Sequence, residues 1–293
     1  MKRFLGAVLL IVLWPFAVSR ARLLPPNEQG VSMAYWYTVV KDVDAEKKFW
    51  VLLGGTPAKV DGLDVVRFPG LFVFLSPGDP SGGTVGSSIN HVGFHVPNGV
   101  ELVTQLKAAG VKTDPEAGTR VPNPQGSSWG NVYSPNGVKV EILDSARSTA
   151  AIGTSTIPAP SPLNGSVATD HIHFFVPESS IAEAQTWYAK VFGAKTFSDL
   201  VPRPNEPVAA GNIPGVELKF SKSAGPTVPT KGRALDHIGF EVKNLKSFCK
   251  KLEADGIKLD EPYSATRHKS YADAELTDPW GTTIELTEGL NKL

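Results

Sequence analysis

The residues of this chain that could do chemistry are few, and they recur in step. Asn90-His91-Val92-Gly93-Phe94-His95-Val96 reads against Asp236-His237-Ile238-Gly239-Phe240-Glu241-Val242, and His171-Ile172-His173 follows Asp170 in a comparable setting. Two glutamates repeat likewise, Glu141 in Pro135-Asn136-Gly137-Val138-Lys139-Val140-Glu141 and Glu285 in Pro279-Trp280-Gly281-Thr282-Thr283-Ile284-Glu285. Upstream, Pro69-Gly70-Leu71-Phe72 matches Pro214-Gly215-Val216-Glu217. Imidazole ligates metals and carries protons near neutral pH, and carboxylates do both as well. The single cysteine, Cys249, excludes an intrachain disulfide framework and a cysteine-cluster metal site; it reads as a packed thiol. Lys plus Arg and Asp plus Glu are both 29, a formal net charge of zero. That argues against an electrostatically driven nucleic-acid or membrane-surface binder.

These residues sit in a fourfold plan. Each quarter reads as a short strand, a helix, a glycine stop and then about three strands. The first strands are expected at 33–40, 90–96, 171–176 and 236–242. The helices are expected at 44–53, 100–109, 180–192 and 245–254, stopped by Gly54-Gly55, Gly110, Gly193 and Gly256, because glycine tolerates the left-handed turn that ends a helix. Later apolar or alternating runs at 65–68, 71–75, 138–143, 216–220 and 282–286 read as strands. One helix on one curved sheet cannot bury both faces, so the units must pack in pairs. Gly at 28 and Pro at 24 fit a turn-rich fold rather than a helical bundle.

Lys2-Arg3, the apolar run from Phe4 to Val18 and then Ser19-Arg20-Ala21 have the layout of a signal peptide over residues 1–21. The run is interrupted by Pro15 and falls short of a bilayer span. The mature chain is therefore expected to be exported, periplasmic or secreted, with no membrane attachment after cleavage. The stretch 146–168 is rich in Ala, Ser, Thr and Pro and reads as a linker. It divides an N-terminal domain, 31–145, from a C-terminal domain, 169–293. The internal doubling of each half suggests a monomer or homodimer.

The motifs Asp236-His237-Ile238-Gly239-Phe240-Glu241-Val242 and Asp278-Pro279-Trp280-Gly281-Thr282-Thr283-Ile284-Glu285 resemble the vicinal oxygen chelate superfamily. Glyoxalase I, methylmalonyl-CoA epimerase, type I extradiol dioxygenases and the bleomycin-resistance proteins share that fold. The resemblance implies an α+β fold of two domains, each a pair of βαβββ modules forming a curved mixed sheet around a cleft. It also implies a divalent metal ion held by the first and last strands of paired modules. With consecutive modules paired, the implied ligands are His171, Glu217, His237 and Glu285. His173 lies on the same strand face as His171 and stands as the alternative to it. The N-terminal half has Tyr35 and Phe72 where the C-terminal half has His171 and Glu217, so His91 and Glu141 are left as an incomplete set and that half reads as structural or substrate-shaping.

The resemblance leaves the chemistry to the site. Thr266-Arg267-His268, Ala274-Glu275 and the Asp278–Glu285 run partly match the extradiol dioxygenase signature, but Glu275 stands where that family has Tyr. A fourth carboxylate, Glu217, favours glyoxalase- or epimerase-like isomerase or lyase chemistry on a substrate with vicinal oxygens. In it a metal (Zn, Ni, Co, Mn or Fe(II)) stabilises an enolate, Glu217 or Glu285 moves the proton, and His268 closes over the substrate with Tyr271. The alternatives are a type I extradiol dioxygenase with Fe(II) and a metal-free binding module of the bleomycin-resistance type.

Overall fold

The computed structural model describes residues 23–118, 128–144, 167–198 and 209–293. The expected signal peptide and nearly all of the expected linker lie outside them. Among the described residues no helix is long and apolar enough to cross a membrane.

The four modules are present. The first is β1 (Val31–Val40), a helix (Val43–Leu52), β2 (Thr56–Val60), β3 (Leu63–Phe68) and β4 (Leu71–Pro77). The second is β5 (Ile89–Val96), a helix (Gly99–Ala108), β6 (Lys112–Thr113), β7 (Ser128–Tyr133) and β8 (Lys139–Asp144). The third is β9 (Ala168–Val176), a helix (Ile181–Phe192), β10 (Lys195–Ser198), β11 (Ala209–Ile213) and β12 (Val216–Lys222). The fourth is β13 (Leu235–Val242), a helix (Leu245–Ala254), β14 (Glu261–Ser264), β15 (Ala272–Thr277) and β16 (Thr283–Glu288).

Local rules set the helix ends. Asp42 and Asn98 accept hydrogen bonds from Ala45 N and Glu101 N, so each caps its helix with a side-chain oxygen. Gly193 ends the third helix at φ 70°, the left-handed conformation for which a side chain is costly.

The pairing of modules departs from the sequence expectation. Strand order is β14-β15-β16-β13-β1-β4-β3-β2 in one sheet and β10-β11-β12-β9-β5-β8-β7-β6 in the other. The outer sheet thus joins the first module to the fourth through antiparallel β1 and β13, and the inner sheet joins the second to the third through antiparallel β5 and β9. Each sheet draws one module from either side of the linker, so the division into 31–145 and 169–293 does not correspond to the two sheets.

The chain changes sheet twice, and the two crossings hold each other. Ser88 N donates to Val228 O, Val228 N to Gly86 O and Ala234 N to Gly82 O, while the Arg233 side chain donates to Gly83 O and Val85 O. These bonds satisfy backbone that would otherwise be orphaned between two sheets.

Strand alternation sorts the side chains. Trp36, Ile172, Phe94, Phe174 and Phe240 enter one continuous core with the helices. There Phe94 of β5 packs against Trp36 of β1 at 5.3 Å and Phe68 of β3 at 4.7 Å between ring centroids, joining the sheets. Trp50 is fully buried in the same cluster. The intervening residues, His91, Gly93, His171 and His173 on one sheet and Tyr35, Tyr37, His237 and Gly239 on the other, share the opposite faces. Cys249 is buried on the helix Leu245–Ala254 with Leu245, Phe248 and Leu252, and burial pushes its thiol up to about 11.

Candidate functional site

The four residues expected to form one metal site are divided between the sheets. His171 and Glu217 are register partners on β9 and β12 of the inner sheet, whereas His237 and Glu285 lie on β13 and β16 of the outer sheet. The expectation failed at the pairing step. What faces His171 and Glu217 across β5–β9 is the second module, and it contributes His91 and Glu141, the pair set aside as incomplete. His91 is the register partner of His173, and Gly93 is that of Glu141.

On the inner sheet these groups converge. The Glu141 Oε2 atom lies 3.4 Å from His91 Nε2 and 3.3 Å from His171 Nε2. His173 Nδ1 is 3.3 Å from His91 Nε2, and its Nε2 is hydrogen-bonded to Ser221 Oγ at 2.8 Å. Nitrogens of His91, His171 and His173 lie within 4.8 Å of one another. Glu217 is 5% exposed, on the same face as His171, with Lys219 Nζ 3.4 Å from its Oε1.

The residue before His91 and the residue before His171 each fix the ring that follows. His91 Nδ1 donates to Asn90 Oδ1 at 2.9 Å, and His171 Nδ1 bonds to Asp170 Oδ1. The other oxygen of Asp170 meets His95 Nε2 at 2.6 Å. With Nδ1 committed, each Nε2 points at the common centre, the arrangement that outer partners impose on metal-ligating histidines. His171 Nε2 is buried and has no hydrogen-bond partner among the described residues.

Electrostatics prepare the same groups for a cation. Burial, against the pull of Glu141, lowers His91 to about 4, and burial together with His91 holds His173 well below the usual imidazole range. Both rings are neutral at pH 7, the ligating form. Burial works to raise Glu141, but His91 and His171 outweigh it and hold the carboxyl well below the ordinary range. The neutral imidazoles of His91 and His173 beside an ionised Glu141, with the buried orphan nitrogen of His171, fit a divalent first-row metal.

The outer sheet repeats the register with other residues. Tyr35 pairs with Phe72 as His171 pairs with Glu217. A Cβ on Gly239 would overlap the Tyr35 ring, as one on Gly93 would overlap the His171 ring. Phe72 offers no ligand atom. Burial, reinforced by Glu285, raises the Tyr35 phenol well above its usual range, so it stays neutral. His237 Nδ1 is 2.7 Å from Asp236 Oδ1, its Nε2 is 3.0 Å from Glu285 Oε2, and Tyr37 stacks on its ring at 4.4 Å. Burial lowers His237, but the two carboxylates win and lift it to about 9. It is a cation in an ion pair, and the four-ligand set that the sequence resemblance implies is not assembled here.

His268 and Glu285 therefore stand away from His171 and Glu217. His268 Nε2 is 3.6 Å from Glu285 Oε1, with its ring stacked on Tyr271. Glu275, in register with Glu285, accepts from Lys231 Nζ at 2.7 Å. Sequence reasoning missed Asn90 and Asp170 as ring-orienting groups. Their signal was legible, an Asn or Asp directly before His91, His171 and His237 but Ala34 before Tyr35.

Residues 170–286 match the sequence model of the Glyoxalase/Bleomycin resistance protein/Dioxygenase superfamily. Glyoxalase I from Zea mays superposes with a TM-score of 0.65 at 17% identity, covering 89% of this chain and 94% of that one. A Bacillus subtilis protein assigned as a dioxygenase superposes at 0.63 with 11% identity, covering 88% and 85%. At such identities these likenesses establish the fold. None of the curated proteins compared matches the chain.

Proposed function

We propose that this chain, a member of the vicinal oxygen chelate superfamily, is a divalent-metal enzyme whose working site is the inner sheet. Its substrate is a small molecule with vicinal oxygens, and its reaction is of the isomerase or lyase type. The observation that carries this reading is the convergence of His91 Nε2 and His171 Nε2 on Glu141 Oε2, with His171 Nε2 buried and making no hydrogen bond among the described residues. His91, Glu141, His171 and Glu217 would hold the metal. When bound, it supplies Lewis-acid polarisation of a substrate oxygen and offsets developing negative charge.

The chain's own groups do the rest. Asn90 and Asp170 keep the two rings oriented and fix their tautomers. Glu141 is tied between two imidazoles. Glu217 is the carboxylate assigned to take a proton from the carbon beside the substrate carbonyl and return it to the neighbouring position. Lys219, beside Glu217, offers a positive charge to a substrate oxyanion. Export through residues 1–21 remains part of the proposal.

The test is metal content and proton exchange. Protein purified without chelator or affinity metal is expected to carry zinc, nickel, cobalt or manganese that His91→Ala and His171→Ala remove. In D2O the loaded protein is expected to exchange the proton beside the carbonyl of α-oxygenated carbonyl compounds, and Glu217→Gln is expected to stop it. Failure of the chain to take up any metal lost in His171→Ala would overturn the reading. Tight retention of iron together with catechol ring cleavage would replace it with the dioxygenase reading.

A further inference from the structure

The outer sheet lost the family's ligands, yet it holds a different group of metal-ligating atoms. Asp273 Oδ1 is buried with no hydrogen-bond partner among the described residues, and Glu285 Oε1, buried as well, makes no hydrogen bond of good geometry and has His268 Nε2 at 3.6 Å and the Tyr35 phenol beside it; the two residues are 2% and 8% exposed. Their sister oxygens are occupied, Glu285 Oε2 by His237 and Asp273 Oδ2 by Arg267. One ligand atom from each of His268, Asp273 and Glu285 lies within 4.8 Å of the others. A buried carboxylate oxygen without a donor, as at Asp273 Oδ1, is costly, since it has left water without replacement.

We infer that His268, Asp273 and Glu285 form a second divalent-cation site on the outer sheet, independent of the inner-sheet site. Each carboxylate presents one oxygen to the ion and gives the other to a cationic side chain, the outer-partner arrangement of metal-ligating carboxylates. The set is harder than that of the inner sheet, two carboxylates and one imidazole against two of each, and suits manganese better than the soft first-row ions. His268 is 29% exposed at its side chain and gives the ion a way in.

The ligand loop is positioned from another module. Asp61, in the β2–β3 turn, accepts from Lys269 N at 2.9 Å and from Ser270 N at 3.1 Å, and also bonds the Ser270 hydroxyl. Tyr271 stacks on His268 at 4.3 Å. The first module, with no ligand of its own at Tyr35 or Phe72, thus holds the fourth module's histidine in place.

The test uses Mn2+ itself, followed by electron paramagnetic resonance, on tag-free full-length protein stripped of metal. The His91→Ala/His171→Ala double variant silences the inner sheet and is expected still to bind one Mn2+. Adding His268→Ala, a loop change that leaves the core intact, is expected to weaken that binding by about tenfold or more, at least the lower scale set by loss of an outer partner at a metal site. Asp273→Asn is expected to do the same, with circular dichroism confirming the fold. A folded double variant that binds no Mn2+ overturns the inference, and so does binding indifferent to His268→Ala, which marks an adventitious ion only. If the double variant does not fold, His268→Ala alone decides, since it must remove one of two bound equivalents. Failure of the inner-sheet reading looks different: metal would then be insensitive to His171→Ala but still sensitive to His268→Ala.

Discussion

The inner and outer sheets are built to one register and have opposite electrostatics. At matching positions the inner sheet has His171, Glu217, His91 and Glu141, and the outer has Tyr35, Phe72, His237 and Glu285. Two replacements in four leave one buried imidazolium–carboxylate pair beneath a tyrosine where the inner sheet sets a neutral His91 against an ionised Glu141. Burial takes His91 down to about 4, whereas Asp236 and Glu285 overcome burial and lift His237 to about 9. The backbone plan therefore fixes where a site lies. Which protons are bound there, and so which cation is welcome, depends on the side chains.

The largest effect expected from that contrast is on turnover. Glu217→Gln is expected to lower it by about 10²–10⁴-fold, the range for removal of a general acid or base. Phe72→Leu, at the matching outer position, is expected to change stability alone. Equal loss of turnover in both variants would mean the working site is not confined to the inner sheet.

Next comes the pH dependence of stability in metal-free protein, measured by urea unfolding. His237 has a folded-state value raised from 6.5 to about 9. Its contribution, on the order of 3 kcal/mol, is full below pH 6.5 and disappears as pH rises through 9. His91 is the mirror case, lowered to about 4. It leaves the fold unaffected above pH 6.5 and destabilises it, by a comparable amount on the order of 3 kcal/mol, as pH falls toward 4. His237→Gln is expected to flatten the alkaline limb and His91→Gln the acid limb. The reverse assignment would break the comparison.

Glycine substitutions sharpen it. Gly93→Ala and Gly239→Ala each force a ring away from the backbone and are expected to cost about 1–3 kcal/mol in thermal or urea unfolding. Only Gly93→Ala should also weaken metal binding, because only there does the displaced ring, that of His171, belong to the proposed ligand set. The smallest effects belong to what the sheets share. Asp42→Ala on the outer sheet and Asn98→Ala on the inner are each expected to cost about 1 kcal/mol as lost helix caps. Ser180→Ala should cost nothing measurable by the same assay, since that side chain caps nothing.

Much of this was legible before any coordinates. The glycines after the four helices end them with positive φ at Gly54, Gly110, Gly193 and Gly256. The equivalence of Tyr35 with His171 and of Phe72 with Glu217, found by aligning repeats, reappears as strand register. The site itself was misassembled, because His91 and Glu141 were judged against Tyr35 and Phe72 when their neighbours are His171 and Glu217. The loop residue His268 was read as closing over the substrate of a site that included His171, and it instead faces Glu285 and Asp273.

The sequence determined the modules, their strand faces and the residues able to bind a cation, since these follow from periodicity and local steric rules within about twenty residues. Only the tertiary structure decided which modules share a sheet. Four copies of one unit present nearly the same edge strand to one another, so local pattern does not distinguish pairing first with second from pairing first with fourth. The choice rests on long-range contacts: β1 against β13, β5 against β9, and two crossing segments that satisfy each other's backbone. That choice brought His91, Glu141, His171 and Glu217 onto one sheet.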